Sequence, residues 1–342
     1  KIIVHNNYTF NLLCSKAQEF LSEPLENYVS LYNVLPIFHG FGLCINMHMC
    51  MMMRRTNIMC IKFQPAMSAK QIVKEKANIL TGVPTMFLKL LGEKAFTKAD
   101  LSNIKDVYVG GDSVPQPLID EFNAALKKGG SSARMYVGYG LTETVTVCMV
   151  NTRAHNRENS IGYPLSNTYV KIMKEGKEVP CGEVGEIYLL CDQFMLGYLH
   201  EEYSPFEMVD GEKWLKTGDY GYVDQDGFLY FKQRIKNMIK VSGVPVYPSE
   251  IEEAAIQAKG VAKVCAVGIA DKVKGQVVRL FVECAEGTDE AACREEIMDI
   301  CRRKRIAYAV PKEIVFEKKL PVSLIGKIDR KKLEERNNDI TI

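Results

Sequence analysis

At 342 residues the chain is too long for one ordinary core and implies two or three packed units. Its 47% hydrophobic and 25% charged residues are the balance of a soluble globular protein, not of a disordered or fibrous one. With 44 Lys and Arg against 42 Asp and Glu the net charge is +2, which gives no strong attraction for nucleic acid.

The sequence opens on Lys1 without a methionine and runs at once into strand-like Ile2-Ile3-Val4, as an inner piece of a longer protein would. Residues 8–22 predict a helix, with Phe10, Leu13, Cys14, Ala17, Phe20 and Leu21 near a 3.6 period. Residues 29–36 predict a strand leading into a loop at His39-Gly40, residues 44–53 a helix, and residues 57–63 a strand. A helix over 68–77 is expected to open on a Ser68 cap, then a strand at 79–82 and a helix at 85–91 beyond Pro84. A strand at 106–109 meets Gly110-Gly111, a helix follows at 117–128, and a strand at 134–137 leads to the glycine-bracketed Tyr139. This βαβα alternation predicts a parallel sheet covered by helices, with ligands beyond the carboxyl ends of the strands, where both glycine turns fall.

From about residue 160 short alternating runs at 170–173, 185–190 and 227–231 are separated by Gly, Pro and Asp turns, which predicts a small antiparallel barrel or sheet. After Arg234 the expected order is helix 248–258, strands 262–269 and 277–284, helix 289–304, strand 312–316 and helix 329–336. The expected fold class is therefore α/β and α+β multidomain. A parallel α/β part (1–158) and a small antiparallel β-barrel part (159–233) would together form a large domain, followed by an α+β domain at 234–342. The eleven cysteines stand singly, without a C-x-x-C pair or His-rich spacing, as reduced cytoplasmic thiols would. No run of about eighteen apolar residues occurs, so no transmembrane segment is expected.

Three short segments carry chemistry. Tyr139-Gly140-Leu141-Thr142-Glu143 sets an aromatic ring, a hydroxyl and a carboxylate within five positions. The ring can stack on a base, the hydroxyl can meet a phosphate, and the acid can hold the magnesium that accompanies ATP. Gly138 and Gly140 allow backbone to approach the ring plane. The blander alternatives are a core tyrosine at Tyr139, a helix cap at Thr142 and a first-turn acid at Glu143. In Lys216-Thr217-Gly218-Asp219 a fixed carboxylate can accept from both hydroxyls of a ribose, whereas Asp224 and Asp226 read as hairpin acids. In Gly326-Lys327-Ile328-Asp329-Arg330 the glycine lets Lys327 reach into a cleft.

With these segments in this order, the chain resembles the adenylate-forming superfamily of acyl-CoA synthetases, aryl-CoA ligases and peptide-synthetase adenylation domains. The likeness covers nearly the whole chain. It runs through Pro36-Ile37-Phe38-His39, Gly82-Val83-Pro84-Thr85, Gly110-Gly111-Asp112, Tyr139 to Glu143, Trp214 to Asp219 and Arg234-Ile235-Lys236. It continues through Ile239-Lys240-Val241-Ser242-Gly243, Tyr247-Pro248-Ser249-Glu250-Ile251-Glu252 and Gly326-Lys327. The resemblance implies ATP and Mg2+ as cofactors, with adenine at Tyr139 and Gly111-Asp112, ribose at Asp219 and Arg234, phosphate at Thr142 and the metal at Glu143. It places Gly140 in the nucleotide site, Gly138 and a gating His39 beside the acyl pocket, and Lys327 on the acyl carboxylate and α-phosphate. The C-terminal domain would be mobile about a hinge near Lys236, bringing the loop at Gly243 to the acceptor thiol.

Two departures stand out. The Ser/Thr/Gly-rich loop that cradles the β- and γ-phosphates lies upstream in this family and does not occur here, so these residues alone are expected not to complete adenylation. Gln233 stands where relatives commonly carry Gly. Amino-acid-activating relatives place an Asp where Phe38-His39 stands, and a buried ammonium without that counter-ion is costly, so a fatty or aryl acid is the expected substrate. Met47, Met49, Met51, Met52 and Met53 suggest either an adaptable pocket or ordinary core filling. The expected activity is ATP-dependent formation of acyl-AMP followed by transfer to the thiol of CoA. The alternatives are loading of an acyl carrier protein's phosphopantetheine, and a non-catalytic binding module.

Overall fold

The computed structural model describes residues 2–200, 203–304, 307–322 and 328–336. The chain forms two compact units, Lys1–Thr217 with Gly221–Phe231, and Gly218–Tyr220 with Lys232–Ile342.

The first unit is built on a seven-stranded sheet in the order Thr56–Met59, Ser30–Asn33, Ile79–Gly82, Asp106–Gly110, Met135–Gly140, Val147–Val150, Tyr163–Pro164. The first five strands are parallel and the last two antiparallel. Successive strand residues point to opposite faces, so Leu80, Val107 and Val109 join one core with Ile72, Phe87 and Phe122, while Ile79, Tyr108 and Tyr136 join another with Leu13, Phe20 and Cys44. Burial on both faces is what a parallel sheet flanked by helices requires, and it explains the unbroken apolar runs. Asp106 opens its strand with a buried carboxylate that accepts from the Ser22 amide at 3.1 Å and from the Tyr28 hydroxyl, tying the N-terminal helical segment to the sheet.

Several expected boundaries move. The helix expected at 68–77 is Pro65–Lys74, because Pro65 is pre-set for the first helical position; Ser68 lies inside it, its buried hydroxyl accepting from the Gln64 amide at 3.3 Å. Pro84 likewise begins its helix, Pro84–Leu91. The segment expected as one helix over 44–53 is a π-helical coil over Phe41–Met49 continued by an α-helical turn at Cys50–Met52. Met49 and Met53 are buried core residues there, and Met51 and Met52 are exposed.

The antiparallel strands form a six-stranded sheet in the order Lys177–Glu178, Thr168–Lys174, Gly185–Cys191, Glu212–Val223, Phe206–Val209, with Leu229–Arg234 also pairing with Glu212–Val223. Among the described residues this pairing leaves free edges and does not close into the expected barrel. Ile172, Ile187, Leu189, Leu215 and Leu229 pack with Leu141, Cys148 and Met149, so the turn after Met135–Gly140 is anchored in the core shared by both sheets.

The second unit is α+β. Hairpin strands Ile239–Val241 and Val244–Val246 adjoin the long antiparallel pair Val261–Asp271 and Gly275–Cys284, beside which Glu313–Phe316 lies parallel. Helices Pro248–Ala255 and Glu290–Lys304 cover one face through Ile251, Ala254, Ile297 and Cys301, and Leu333 of helix Arg330–Glu335 joins Cys265, Val267 and Phe281. All eleven cysteines are free thiols, and no helix among the described residues is long and apolar enough to cross a membrane.

Candidate functional site

Strand Met135–Gly140 delivers the first chemical segment to the carboxyl edge of the parallel sheet. Tyr139 faces Met149 and Gly140 faces Val147, with a register shift between them. A Cβ on Gly140 would lie 1.5 Å from the Thr146 carbonyl oxygen, so only glycine fits there. Gly110 faces Gly138 on the neighbouring strand, and a Cβ on Gly110 would lie 2.8 Å from the Gly138 oxygen. The half-buried Tyr139 ring lies 6.4 Å from that of Phe231. Exposed Gly111 takes φ +81, which glycine adopts without strain, and is followed by exposed Asp112.

Beyond Gly140 the chain makes a tight turn at Thr142–Thr144, which leaves Thr142 exposed, Glu143 half-buried and Thr144 buried. Thr142 is not the cap. That role falls to the Thr144 hydroxyl, which accepts from the Leu141 amide at 3.2 Å. Val145 then adopts φ +66 and ψ −58, and the Thr146 amide donates to the Thr144 carbonyl at 2.8 Å, closing a γ-turn. For a β-branched residue this is a strained conformation, costing on the order of 1–3 kcal/mol. It persists because neighbours hold every carbonyl of the turn. His5 Nε2 donates to the Thr142 oxygen at 2.6 Å, the Met195 amide to the Glu143 oxygen at 2.8 Å, and Gln193 Nε2 to the Thr144 oxygen at 3.3 Å. The Tyr198 hydroxyl donates to Glu143 Oε1 at 2.8 Å. Burial holds the His5 imidazole below its ordinary pKa, opposed by its bond to the Thr142 carbonyl and by the Glu143 charge.

The loop bearing His39 reaches the same turn. A Cβ on Gly40 would lie 2.1 Å from the Val145 oxygen. His39 itself is exposed, its Nδ1 accepting from the Phe41 amide at 3.2 Å. Phe38 beside it is 79% exposed and takes no part in the core.

In the second unit Asp219 is buried to 1% exposure, and its Oδ1 lies 3.2 Å from Nε of the half-exposed Arg234. Gln233 is buried, with neither amide atom hydrogen-bonded among the described residues. Lys236 is exposed in the turn Ile235–Asn237. Ser242 (φ +52) and Gly243 (φ +78) form the two-residue hairpin turn, with both dihedrals positive as a type I′ turn demands and the Gly243 Cβ direction open. Lys327 lies outside the described residues. Two residues further on, Asp329 caps helix Arg330–Glu335, and Arg330 pairs with Glu252 at 2.6 Å and donates to the Ala266 carbonyl. Asp224 accepts from the Asp226 and Phe228 amides, and both acids pair with Arg157, the structural role expected of them.

Thus Gly140, Thr142, Glu143 and the His39–Gly40 loop converge within the first unit, and Asp219 meets Arg234 within the second. Sequence reasoning missed His5, Gln193 and Tyr198. None sits in a motif with chemistry of its own; they act through a turn far away in sequence.

Residues 2–199 match the AMP-binding enzyme family, and residues 250–327 match the AMP-binding enzyme C-terminal domain. The chain belongs to the AMP-binding enzyme family. A long-chain-fatty-acid–CoA ligase of Salmonella typhimurium is 35% identical over 306 residues, 88% of this chain and 53% of the relative. One from Bacillus subtilis is 31% identical over 99% of this chain and 59% of its own length. The chain thus spans little more than half of these relatives. Among solved structures, an anthranilate CoA ligase in complex with anthranoyl-AMP is 26% identical with a TM-score of 0.84, covering 97% of this chain and 64% of that one. ATP-bound MatB from Rhodopseudomonas palustris, 24% identical over 97% of this chain and 64% of its own with a TM-score of 0.86, shares the fold. The expected adenylate-forming superfamily and α/β multidomain class both stand.

Proposed function

We propose that the protein carrying this chain joins a carboxylic acid, fatty or aryl, to the thiol of CoA through an acyl-adenylate. The observation that carries the reading is a single turn at the carboxyl edge of a parallel sheet, presenting the Thr142 hydroxyl and Glu143 carboxylate just beyond Tyr139, in a chain of the AMP-binding enzyme family. The likeness to fatty-acid and anthranilate CoA ligases supports the substrate class. So does the absence of an acid at Phe38-His39, which leaves a substrate ammonium without a partner.

In the first step a carboxylate oxygen attacks the α-phosphorus of ATP, and pyrophosphate leaves with the electron pair of the broken P–O bond. Two anions meet, so positive charge and donors must stand where charge develops. Lys327 is assigned to the acyl carboxylate and α-phosphate, Thr142 to phosphate, Tyr139, Gly140 and Gly111-Asp112 to adenine, and Asp219 with Arg234 to the ribose. His39 and Gly138 border the acyl group. Glu143 fits a magnesium ion that arrives with the nucleotide: Mg2+ takes one or two carboxylates with phosphate oxygens, and no group of three metal-capable side chains stands together among the described residues. When bound, the ion neutralises phosphate charge. In the second step the CoA sulfur attacks the acyl carbonyl and AMP leaves. Residues 1–158, 159–233 and 234–342 form the three working parts of this reading, with a hinge near Lys236 and the Gly243 turn facing the thiol.

Acid-dependent ATP–pyrophosphate exchange across a panel of fatty, aryl and amino acids, using the intact protein, tests this. Exchange with fatty or aryl acids and thioester formation on adding CoA is expected. Exchange with amino acids alone would overturn the substrate class, and exchange without transfer to CoA would move the acceptor to a carrier protein.

A further inference from the structure

The turn that carries Thr142 and Glu143 is held by side chains lying outside every motif that assigned it a role. A two-stranded ribbon, Ile3–Val4 against Gly197–Tyr198, pairs Ile3 with Tyr198. One residue past its first strand, His5 donates to the Thr142 carbonyl at 2.6 Å. At the end of its second strand, Tyr198 donates to Glu143 Oε1 at 2.8 Å. The ribbon is tied to the same turn by backbone: the Met195 amide donates to the Glu143 carbonyl and the Leu196 amide to the Val4 carbonyl, both at 2.8 Å. The buried Gln193 is fixed in turn by Lys16 Nζ at 3.2 Å, whose ammonium also pairs with Asp192 at 2.7 Å.

We infer that His5 and Tyr198 are positioning residues for adenylation, His5 fixing the backbone of the Thr142–Glu143 turn and Tyr198 aiming the Glu143 carboxylate. The inference rests on the acyl-adenylate reading above. Its physical basis is the strained γ-turn at Val145, because a conformation of this kind survives only where its surroundings over-determine it. Removing the His5 donor leaves the Thr142 carbonyl only the Val145 amide, at 3.1 Å within the turn itself, and lets the turn relax, shifting the hydroxyl and carboxylate together. Tyr198 occupies one oxygen of Glu143 and so presents the other, Oε2, which no hydrogen bond engages among the described residues. Small displacements at such groups are enough to slow a reaction that depends on alignment.

The test uses the intact protein with Tyr198→Phe, His5→Phe and His5→Gln, reading acid-dependent pyrophosphate exchange, thioester formation from supplied acyl-AMP, Mg2+ dependence and thermal stability. Tyr198→Phe, which removes one hydroxyl, is expected to raise the Mg2+ concentration for half-maximal adenylation several-fold while leaving the thioester half-reaction unchanged. His5→Phe is expected to slow adenylation on the order of tenfold or more, and His5→Gln, whose amide still donates, to recover most of it. Equal loss in both half-reactions, or wild-type behaviour of all three variants, overturns the positioning role. Should His5→Phe fail to fold, Tyr198→Phe and His5→Gln decide. A wild-type protein without acid-dependent exchange sinks the acyl-adenylate reading itself, whereas normal exchange in unaffected variants sinks only this inference.

Discussion

Gly140→Ala is the sharpest test of the geometry at the turn. The added Cβ would stand 1.5 Å from the Thr146 oxygen, 2.3 Å from its carbonyl carbon and 2.6 Å from the Val147 Cα. All three are backbone atoms at the entry to strand Val147–Val150, in which Cys148 and Met149 are fully buried, so no flexible side chain can give way. Overpacking in a well-filled site costs about 1–3 kcal/mol and more where backbone must shift, so the upper end applies here. For a unit of this size that corresponds to a fall in melting temperature on the order of 6–12 °C. Gly92→Ala is the control: its Cβ would come no nearer than 3.4 Å to the Lys89 carbonyl, and its effect is expected within about 0.5 kcal/mol. Differential scanning calorimetry of both variants, with pyrophosphate exchange alongside, reads the outcome. A melting temperature for Gly140→Ala indistinguishable from that of Gly92→Ala, with adenylation intact, would refute the close approach and the reason for glycine beside Tyr139.

Lys327→Ala is expected to lower adenylation by about 10²–10³ while leaving thioester formation from supplied acyl-AMP within a few-fold, since the proposed role needs its charge only in the first step; equal loss in both would contradict the assignment. Asp219→Asn weakens charge-assisted bonds worth about 1.5–3 kcal/mol each, so KM for ATP should rise on the order of tenfold or more with the acid KM little changed. Asp271 accepts from Lys312 at 2.8 Å and from the Lys274 and Val273 amides, and these bonds, that from Lys312 first, hold its pKa below the ordinary 3.8. Its stabilisation is therefore complete above that value and lost as pH falls below it, so urea unfolding of Asp271→Asn should be less acid-sensitive below about pH 4. An unchanged acid slope would remove Asp271 from that account.

Regular patterns in the sequence translated well into structure. The apolar runs around Leu80 and Val107 and the glycine turns at 110–111 and 138–140 located the parallel sheet and its carboxyl edge, because period and turn chemistry are local properties. The α+β elements after Arg234 fell within a few residues of expectation for the same reason. Helix starts were less legible: Pro65 outranked Ser68 as the first-turn signal, and no pattern of side chains announced a π-helical coil at Phe41–Met49. The motif residues at the turn were visible, but what holds the turn was not. His5, Gln193 and Tyr198 act across 46 to 137 positions of sequence, and no spacing rule links residues that meet only through tertiary folding.

The central claim is that a carboxylate oxygen of the substrate attacks the α-phosphorus. Carboxylic acid labelled with ¹⁸O in both oxygens, supplied with ATP, Mg2+ and CoA to the intact protein, tests it directly by mass spectrometry of the nucleotide product. One ¹⁸O should appear in AMP for each thioester formed, because the bridging oxygen of the adenylate leaves with the phosphate. Label recovered in inorganic phosphate beside ADP would mean an acyl phosphate route and would contradict the account.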